Sequence, residues 1–217
     1  REKSFDLLDA LLRGQVYRLS FWRVAAAEIN YRRFFDINSL GAVRMENPRV
    51  FRFFHSLVLR LIREGQVTGL RVDHPDGLYN PAAYFNNLQR ACFFALQRGL
   101  LDQVASQVDL GYEPGYVDDE LAQRYDAILK SNPQYKPLYV VGEKILTKAE
   151  RMPEEWPIFS TTGYVFLNSA NGIFVDPRSA RAFDRVYGSF TRSKQNLQDE
   201  SYQSRKLVLQ TAIAAEI

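Results

Sequence analysis

The chain has 217 residues, of which 46% are hydrophobic and 13% aromatic, enough apolar material for one large domain or two small ones. Its 28 basic and 25 acidic residues are interspersed and leave a net charge of +3, so neither a nucleic-acid nor a membrane partner is expected. The single cysteine, Cys92, excludes a disulfide framework and favours a reducing, cytoplasmic setting. The uncharged apolar runs are shorter than the roughly 20 residues of a membrane helix.

The first third of the chain predicts helix, then a β-prone stretch, then a longer helix. Apolar spacing predicts helix within residues 5–30 with a break near Gly14, and the following "YRRFFDINS" is β-prone. The pair Asn47-Pro48 supplies a cap and a first helical residue, and Gly65 is the expected end of that helix. Its predicted apolar face consists of Val50, Phe51, Phe54, Leu57, Val58, Leu61 and Ile62, with His55 as a packing or surface residue.

Short β-rich runs and helices alternate in the middle of the chain. Residues 67–72 predict a strand, and the pair Asn80-Pro81 begins a helix that Gly99 is expected to end. A third helix over 118–130 leads into "LYVVGEKIL", a second buried strand. The predicted inward faces of these two helices are Phe85, Leu88, Cys92 and Ala95, and then Leu121, Tyr125, Ile128 and Leu129.

A third strand and helix unit is predicted to begin at "IFSTTGYVFLN". Helices over 177–190 and 203–216 complete the chain. Strands that alternate with helices are typical of a parallel sheet, so the expected fold class is α/β.

Both middle strands are followed by a carboxylate. Asp73 comes directly after the first strand, and Glu143 follows the second with one glycine between. Side chains at the carboxyl ends of parallel strands reach out of the core, so the two acids are expected at one functional edge. Arg71 precedes Asp73 by two residues and shares its face of the strand, where its charge would keep Asp73 ionised. The apolar run before Glu143 is expected to favour its protonated form, and such an unequal pair suits glycoside cleavage.

Simpler explanations for these residues remain open. The "HPDG" at 74–77 is an ordinary turn sequence, in which Pro75 presets φ and Gly77 allows a positive φ. Asp73, His74 and Asp76 could bind a metal, although the spacing does not match a calcium loop and no second His or Cys cluster exists. Glu143 and Lys144 could be a solvated pair at a strand end. The joint occurrence of two strand-end acids and one arginine favours catalysis.

Longer motifs resemble a known family. "GLRVDHPDG" and "VVGEKIL" are similar to the second and third signature regions of the α-amylase superfamily, glycoside hydrolase family 13. Together with "INYRRFFDINSLGAVRME" and "STTGYVFLNSANGIFVDP" they resemble its trehalose-forming members, which rearrange the terminal α-1,4 link of a maltodextrin into an α,α-1,1 link. The resemblance implies part of a (β/α)8 barrel, with about three central βα units and extra helices. Residues 1–45 would be a helical or irregular lead-in and 46–217 would carry the site, within one fragment of the catalytic barrel.

The resemblance also implies roles for particular residues. Asp73 would be the nucleophile, Glu143 the general acid/base, and Arg71 the residue that orients Asp73. His74 would hydrogen-bond sugar hydroxyls. Further implied substrate contacts are Asp76, Tyr79, Lys144, Tyr31, Arg32 and Arg33. No cofactor and no metal are implied; the implied partners are a maltodextrin substrate and, functionally, a trehalose-releasing hydrolase.

The chain also departs from the family pattern. The first signature region, Asp-x-x-x-Asn-His, does not occur, and no downstream strand supplies a third catalytic aspartate. Ser160 and Val165 stand where the family usually has glycine and aspartate. We therefore expect a central piece of a longer enzyme that is inactive by itself. The alternatives are another hydrolase or transglycosylase of the superfamily, or a glycan-binding module without chemistry.

Overall fold

A computed structural model describes residues 4–105, 114–147, 150–192 and 196–217. The contacts group these residues into two compact units, one from Arg1–Ala42 with Arg178–Ile217 and the other from Val43–Pro177. The helices are α1 (Asp6–Arg13), α2 (Ala25–Glu28), α3 (Pro48–Arg63), α4 (Pro81–Ala105), α5 (Pro114–Ser131), α6 (Tyr164–Gly172), α7 (Ala180–Thr191) and α8 (Leu197–Thr211). The strands are β1 (Arg33–Phe34), β2 (Ile37–Gly41), β3 (Gly69–Val72), β4 (Tyr139–Gly142) and β5 (Ser160–Thr161).

The first unit is mainly helical with a small hairpin. Helix α1 ends before Gly14 as predicted, but the rest of the predicted helical region holds only a short 3₁₀ turn and the four-residue α2. The β-prone stretch forms two antiparallel strands, β1 and β2, and Phe35 between them has a left-handed φ of 53°. Helices α7 and α8 confirm the two predicted C-terminal helices. However, α8 begins earlier than predicted, because Asn196 caps it by accepting from the Gln198 N–H, and it ends at Thr211 rather than at residue 216.

Helix α3 begins and ends as the sequence predicts. The Asn47 side chain accepts from the Arg49 N–H, and Gly65 follows the helix with a left-handed φ of 71°. The buried stripe is narrower than predicted. It comprises Phe51, His55 and Ile62. Phe54 and Leu57 are more than half exposed, because α3 packs mainly against α4 along one side.

His55 is a packing residue of this stripe. One ring nitrogen lies 2.8 Å from the Phe51 carbonyl oxygen and the other 2.9 Å from the Tyr84 hydroxyl. Its ring stacks on Phe51 with centroids 4.1 Å apart. Burial lowers the pKa of His55, so the ring is held neutral inside the α3–α4 contact.

The second unit contains the parallel sheet that the alternating pattern predicts. Its order is β3-β4-β5, with both neighbouring pairs parallel. Helices α4 and α5 connect β3 to β4, and α6 follows β5. The chain is thus a helix-rich α/β structure with small sheets, and β5 and α6 confirm the predicted third unit.

The main core of this unit lies between α3, α4 and the sheet. Its buried residues are Phe51, Ile62, Phe85, Leu88, Cys92, Ala95, Leu138, Val140, Trp156 and Ile158. The predicted inward face of α4 is therefore confirmed. Gly99 does not end that helix, which continues to Ala105. A Cβ on Gly99 would lie 2.2 Å from the Arg63 carbonyl oxygen, so the glycine allows α4 to pass close to the end of α3.

A smaller core cluster joins α4 to α5. Phe93 packs against Leu121 and Tyr125, which confirms the predicted inward face of α5. Ile128 and Leu129 pack partly buried against the same cluster. The two clusters fix α4 between the sheet-side core and α5, and so hold the sheet whose strand ends carry the acidic residues.

Candidate active site

Asp73 and Glu143 lie at the same edge of the sheet. Val72 is paired with Gly142 at the ends of β3 and β4, and the Glu143 N–H donates to the Val72 carbonyl oxygen over 2.8 Å. The two acids therefore follow adjacent parallel strands at the same level, as the sequence predicts. Gly142 is tightly packed, since a Cβ there would lie 3.1 Å from the Ile158 side chain.

Arg71 contacts both acids. Its Nη1 donates to Asp73 Oδ1 over 2.6 Å, and its Nη2 lies 3.2 Å from Glu143 Oε1. The hydrogen bond from Arg71 holds the pKa of Asp73 below its ordinary value, and the contact with Asp73 in turn raises the pKa of Arg71. Asp73 is exposed, with 61% of its side-chain surface accessible, whereas Glu143 is at 24%. Asp73 is thus exposed to solvent and kept ionised, while Glu143 is less exposed and lies among hydrogen-bond donors.

Two further donors fix the Glu143 carboxylate. The Tyr164 hydroxyl donates to Oε1 over 2.9 Å, and the His74 N–H donates to Oε2 over 3.2 Å. Tyr164 is the first residue of α6, just beyond the end of β5. Tyr164 is absent from the predicted site residues. Its place shortly after the third predicted strand, in "STTGY", is the sequence signal that indicates it.

The predicted turn after β3 is present, but the positive φ falls on a different residue from the one expected. Pro75–Gly77 form a 3₁₀ turn, and His74 rather than Gly77 adopts a positive φ, of 43°. Gly77 instead leaves room for the His74 ring, because a Cβ there would lie 2.7 Å from His74 Nδ1. The turn therefore seats the His74 ring over Gly77 while the His74 N–H faces Glu143. A strained non-glycine residue at a candidate site is consistent with a functional constraint.

Lys144 is not part of a solvated pair with Glu143. Only 10% of its side chain is accessible, and its Nζ lies 2.7 Å from Glu150 Oε1 and 3.2 Å from Asp76 Oδ2. The hydrogen bond to Glu150 is the main cause that raises the pKa of Lys144, followed by the bond to Asp76. Lys144 and Asp76 thus form an ion pair with each other. Through its two ion pairs, Lys144 connects the turn after β3 to the segment after β4.

The remaining residues that the resemblance implies lie after the turn that follows β3 or in the first unit. Tyr79 is 87% exposed beyond the turn. In the first unit, Tyr31 donates to the Asn38 carbonyl oxygen. Arg32 is exposed. Arg33 is buried and donates to Asp36, Asn38 and Ala212, which gives it a structural role in that unit.

The two positions that depart from the family pattern lie on either side of the β5 end. Ser160 begins β5, and Val165 follows Tyr164 in α6 with about half of its surface exposed. Among the described residues, no group of three or more His, Cys, Asp or Glu side chains could hold a metal ion. None of the described helices is long and apolar enough to cross a membrane.

This arrangement can support covalent catalysis by a carboxylate. An exposed, ionised Asp73 could attack an electrophilic carbon, and the set-back Glu143 could transfer a proton on the same side of the sheet. The fold and site define a parallel α/β protein whose ionisable groups converge at the carboxyl ends of adjacent strands.

Comparison with known proteins identifies the family. Two relatives from Mycobacterium tuberculosis strains, both named as maltooligosyl trehalose synthase, are 33% identical to the chain over 164 residues. That match covers 76% of this chain and 16% of each relative. No model of a protein family matches the chain. The chain is homologous to a segment of the maltooligosyltrehalose synthases.

Solved structures give the same result. Maltooligosyltrehalose synthase from Arthrobacter ramosus is similar at a TM-score of 0.69 and 32% identity, over 96% of this chain and 22% of that protein. A glycosyltrehalose synthase, DSM5389, is similar at a TM-score of 0.71 and 29% identity, over 99% of this chain and 23% of that protein. The chain spans about a fifth of the length of these structures. The resemblance of the sequence motifs to trehalose-forming enzymes is thereby confirmed.

Proposed function

We propose that this segment supplies the nucleophile and the general acid/base of an enzyme that converts the terminal α-1,4 link of a maltodextrin into an α,α-1,1 link. The observation that carries the proposal is the single guanidinium of Arg71, which contacts both strand-end carboxylates. A retaining mechanism needs its two carboxyl groups only about 5–5.5 Å apart, and a shared arginine is compatible with such a spacing. The names of the relatives supply the substrate class.

In the first step, the Asp73 carboxylate attacks the anomeric carbon at the terminal α-1,4 link. Glu143 donates its proton to the departing oxygen, the carbon–oxygen bond breaks, and glucose is released beside a covalent glycosyl ester. Arg71 keeps Asp73 ionised for this attack. The NH of His74 orients Glu143, and its ring would hydrogen-bond sugar hydroxyls.

In the second step, the released glucose turns within the site and presents its C1 hydroxyl. Glu143, now ionised, takes the proton of that hydroxyl. The hydroxyl oxygen of the glucose then attacks the anomeric carbon, and the bond from that carbon to Asp73 breaks. Atoms balance without any co-reactant, so the reaction is an isomerisation. Water has to be excluded during the turn, because water attack would give hydrolysis instead.

The proposal includes the wider architecture that the resemblance implies. The parallel β3-β4-β5 sheet would be three neighbouring strands of a (β/α)8 barrel, a fold whose sites lie at the carboxyl ends of the strands. The third catalytic carboxylate would come from another part of the enzyme. The 217-residue chain alone would then be inactive on maltopentaose, and a separate trehalose-releasing hydrolase would consume the product.

The test is replacement of Asp73 by Asn in the full-length protein. We expect kcat on maltopentaose to fall by more than about 10³-fold, because an amide cannot form the ester. Asp119→Asn, an exposed aspartate on α5, is the matched control and should retain normal turnover. Near-normal activity of Asp73→Asn would refute the nucleophile assignment.

Product analysis separates the alternatives. Loss of reducing ends with a non-reducing product supports the isomerase. Formation of glucose and maltose would favour a hydrolase, and binding of maltopentaose without product would favour a glycan-binding module. Turnover of maltopentaose by the isolated 217-residue chain at ordinary enzymatic rates would contradict the need for a third carboxylate.

A further inference from the structure

Tyr164 joins two strand ends across the candidate site. Its hydroxyl donates to Glu143 Oε1 over 2.9 Å, and Arg71 Nη2 lies 3.2 Å from the same oxygen. Gly163, with a left-handed φ of 98°, turns the chain from the β5 end into α6 and so places Tyr164 at this point. The Glu143 carboxyl group, which follows β4, is thereby held from the β5 side as well as from the β3 side.

The two donors on Oε1 are chemically different. A guanidinium has only donors, so Arg71 cannot accept a hydrogen bond from Glu143 Oε1 when that oxygen carries the proton. A phenol hydroxyl both donates and accepts. Tyr164 can therefore donate to the ionised carboxylate and accept from the protonated acid. The hydrogen bond to Glu143 also raises the pKa of Tyr164, so the phenol keeps its own proton throughout.

We propose that Tyr164 is a positioning residue for Glu143, whose hydroxyl holds the carboxyl group in one orientation in both of its protonation states. The inference rests on the proposed function, in which Glu143 gives a proton to the leaving oxygen and later takes one from the acceptor hydroxyl. A glutamate side chain has three rotatable bonds, and fixing them before the reaction lowers the entropy lost on reaching the transition state. Tyr164 itself neither gains nor loses a proton in the cycle.

The test compares two leaving groups in the full-length protein. Cleavage of maltopentaose needs a proton from Glu143, whereas α-maltotetraosyl fluoride releases fluoride without one. Tyr164→Phe removes the hydroxyl and keeps the ring. We expect it to lower kcat on maltopentaose roughly 10- to 100-fold, part of the about 10²- to 10⁴-fold that general acid/base catalysis contributes. The first-turnover burst of fluoride should stay within about twofold of the unchanged protein, because that step needs Asp73 alone.

Two further variants make the comparison decisive. Tyr139→Phe, at the opposite end of β4, removes a hydroxyl outside the site and should behave like the unchanged protein on both substrates. Glu143→Gln should show the same split between substrates, and more strongly. Suppose that Glu143→Gln shows this split, while Tyr164→Phe lowers the rate equally on both substrates or on neither. The positioning role of Tyr164 is then overturned, and the proposed function stands. If Glu143→Gln shows no split, the acid/base assignment is refuted, and the proposal for Tyr164 falls with it.

Discussion

Gln89 connects α4 to the start of the strand that carries Glu143, and replacing it should loosen that strand. Gln89 is 1% exposed. Its amide nitrogen donates to the carbonyl oxygens of Leu138 and Pro157 over 3.1 and 2.8 Å, and its amide oxygen accepts from the Leu138 N–H over 3.1 Å. One side chain therefore satisfies three backbone groups next to β4 and β5, of which the two at Leu138 are buried and the one at Pro157 is partly buried.

Gln89→Met conserves shape and removes all three hydrogen bonds. Leaving a buried donor or acceptor unpaired costs about 1–3 kcal/mol. Taking about 1.5 kcal/mol for each of the two buried Leu138 groups gives about 3 kcal/mol in favour of local opening of the segment around Leu138, which corresponds to about 140-fold faster amide exchange there. The unpaired groups, rather than any loss of volume, supply this cost.

Hydrogen exchange followed by mass spectrometry on the full-length protein measures the effect. Peptides covering residues 138–142 should exchange about 10²-fold faster in Gln89→Met than in the unchanged protein. The control is Gln97→Met on the same helix, which is partly exposed and should change the opening free energy by less than about 0.5 kcal/mol. Exchange of the Gln89 variant within about threefold of the control would refute the reasoning, because it would show that the three groups find other partners.

Three other substitutions test separate contacts in the full-length protein. Arg71→Met should move the acidic limb of the kcat/KM profile to higher pH, because the Arg71 bond holds the pKa of the Asp73 nucleophile down; an unchanged limb contradicts this. Gly99→Ala should lower the melting temperature, because its Cβ would lie 2.2 Å from the last carbonyl oxygen of α3, an overpacking that costs about 1–3 kcal/mol, and an unchanged melting temperature contradicts it. Lys144→Met should speed proteolysis of the turn after β3; equal rates would show that its ion pairs do not order that turn.

The sequence predicted the elements of the second unit because their signals are local. Asn47 and Pro48 mark a helix start through a cap and a fixed φ, and both act within one turn. The alternation of strands and helices then predicts a parallel sheet, and parallel strands bring the residues after their carboxyl ends together. Asp73 and Glu143 could be predicted as neighbours on these grounds alone.

The residues that were missed act over long distances in the sequence. Gln89 lies between Leu88 and Cys92 on the buried face of α4, so its position in the helical period indicates burial, but not the backbone groups of residues 138 and 157 that it satisfies. Gly99 was interpreted as a helix end because glycine favours that position. Its actual role is a close approach to another helix, and such an approach leaves no local signal.

The candidate site depends on the register of the sheet more than on any single side chain. Arg71 lies within β3, the His74 N–H belongs to the turn after it, and Tyr164 follows β5, so the donors to Glu143 come from the two strands that flank β4. Because side chains alternate along a strand, a slip of one residue between β3 and β4 would turn Arg71 away and leave Glu143 without its cation. The Gln89 contacts at the start of β4 oppose such a slip. The Gln89 amide at the start of β4 and the Tyr164 hydroxyl at its end thus both help to fix the position of the Glu143 carboxylate.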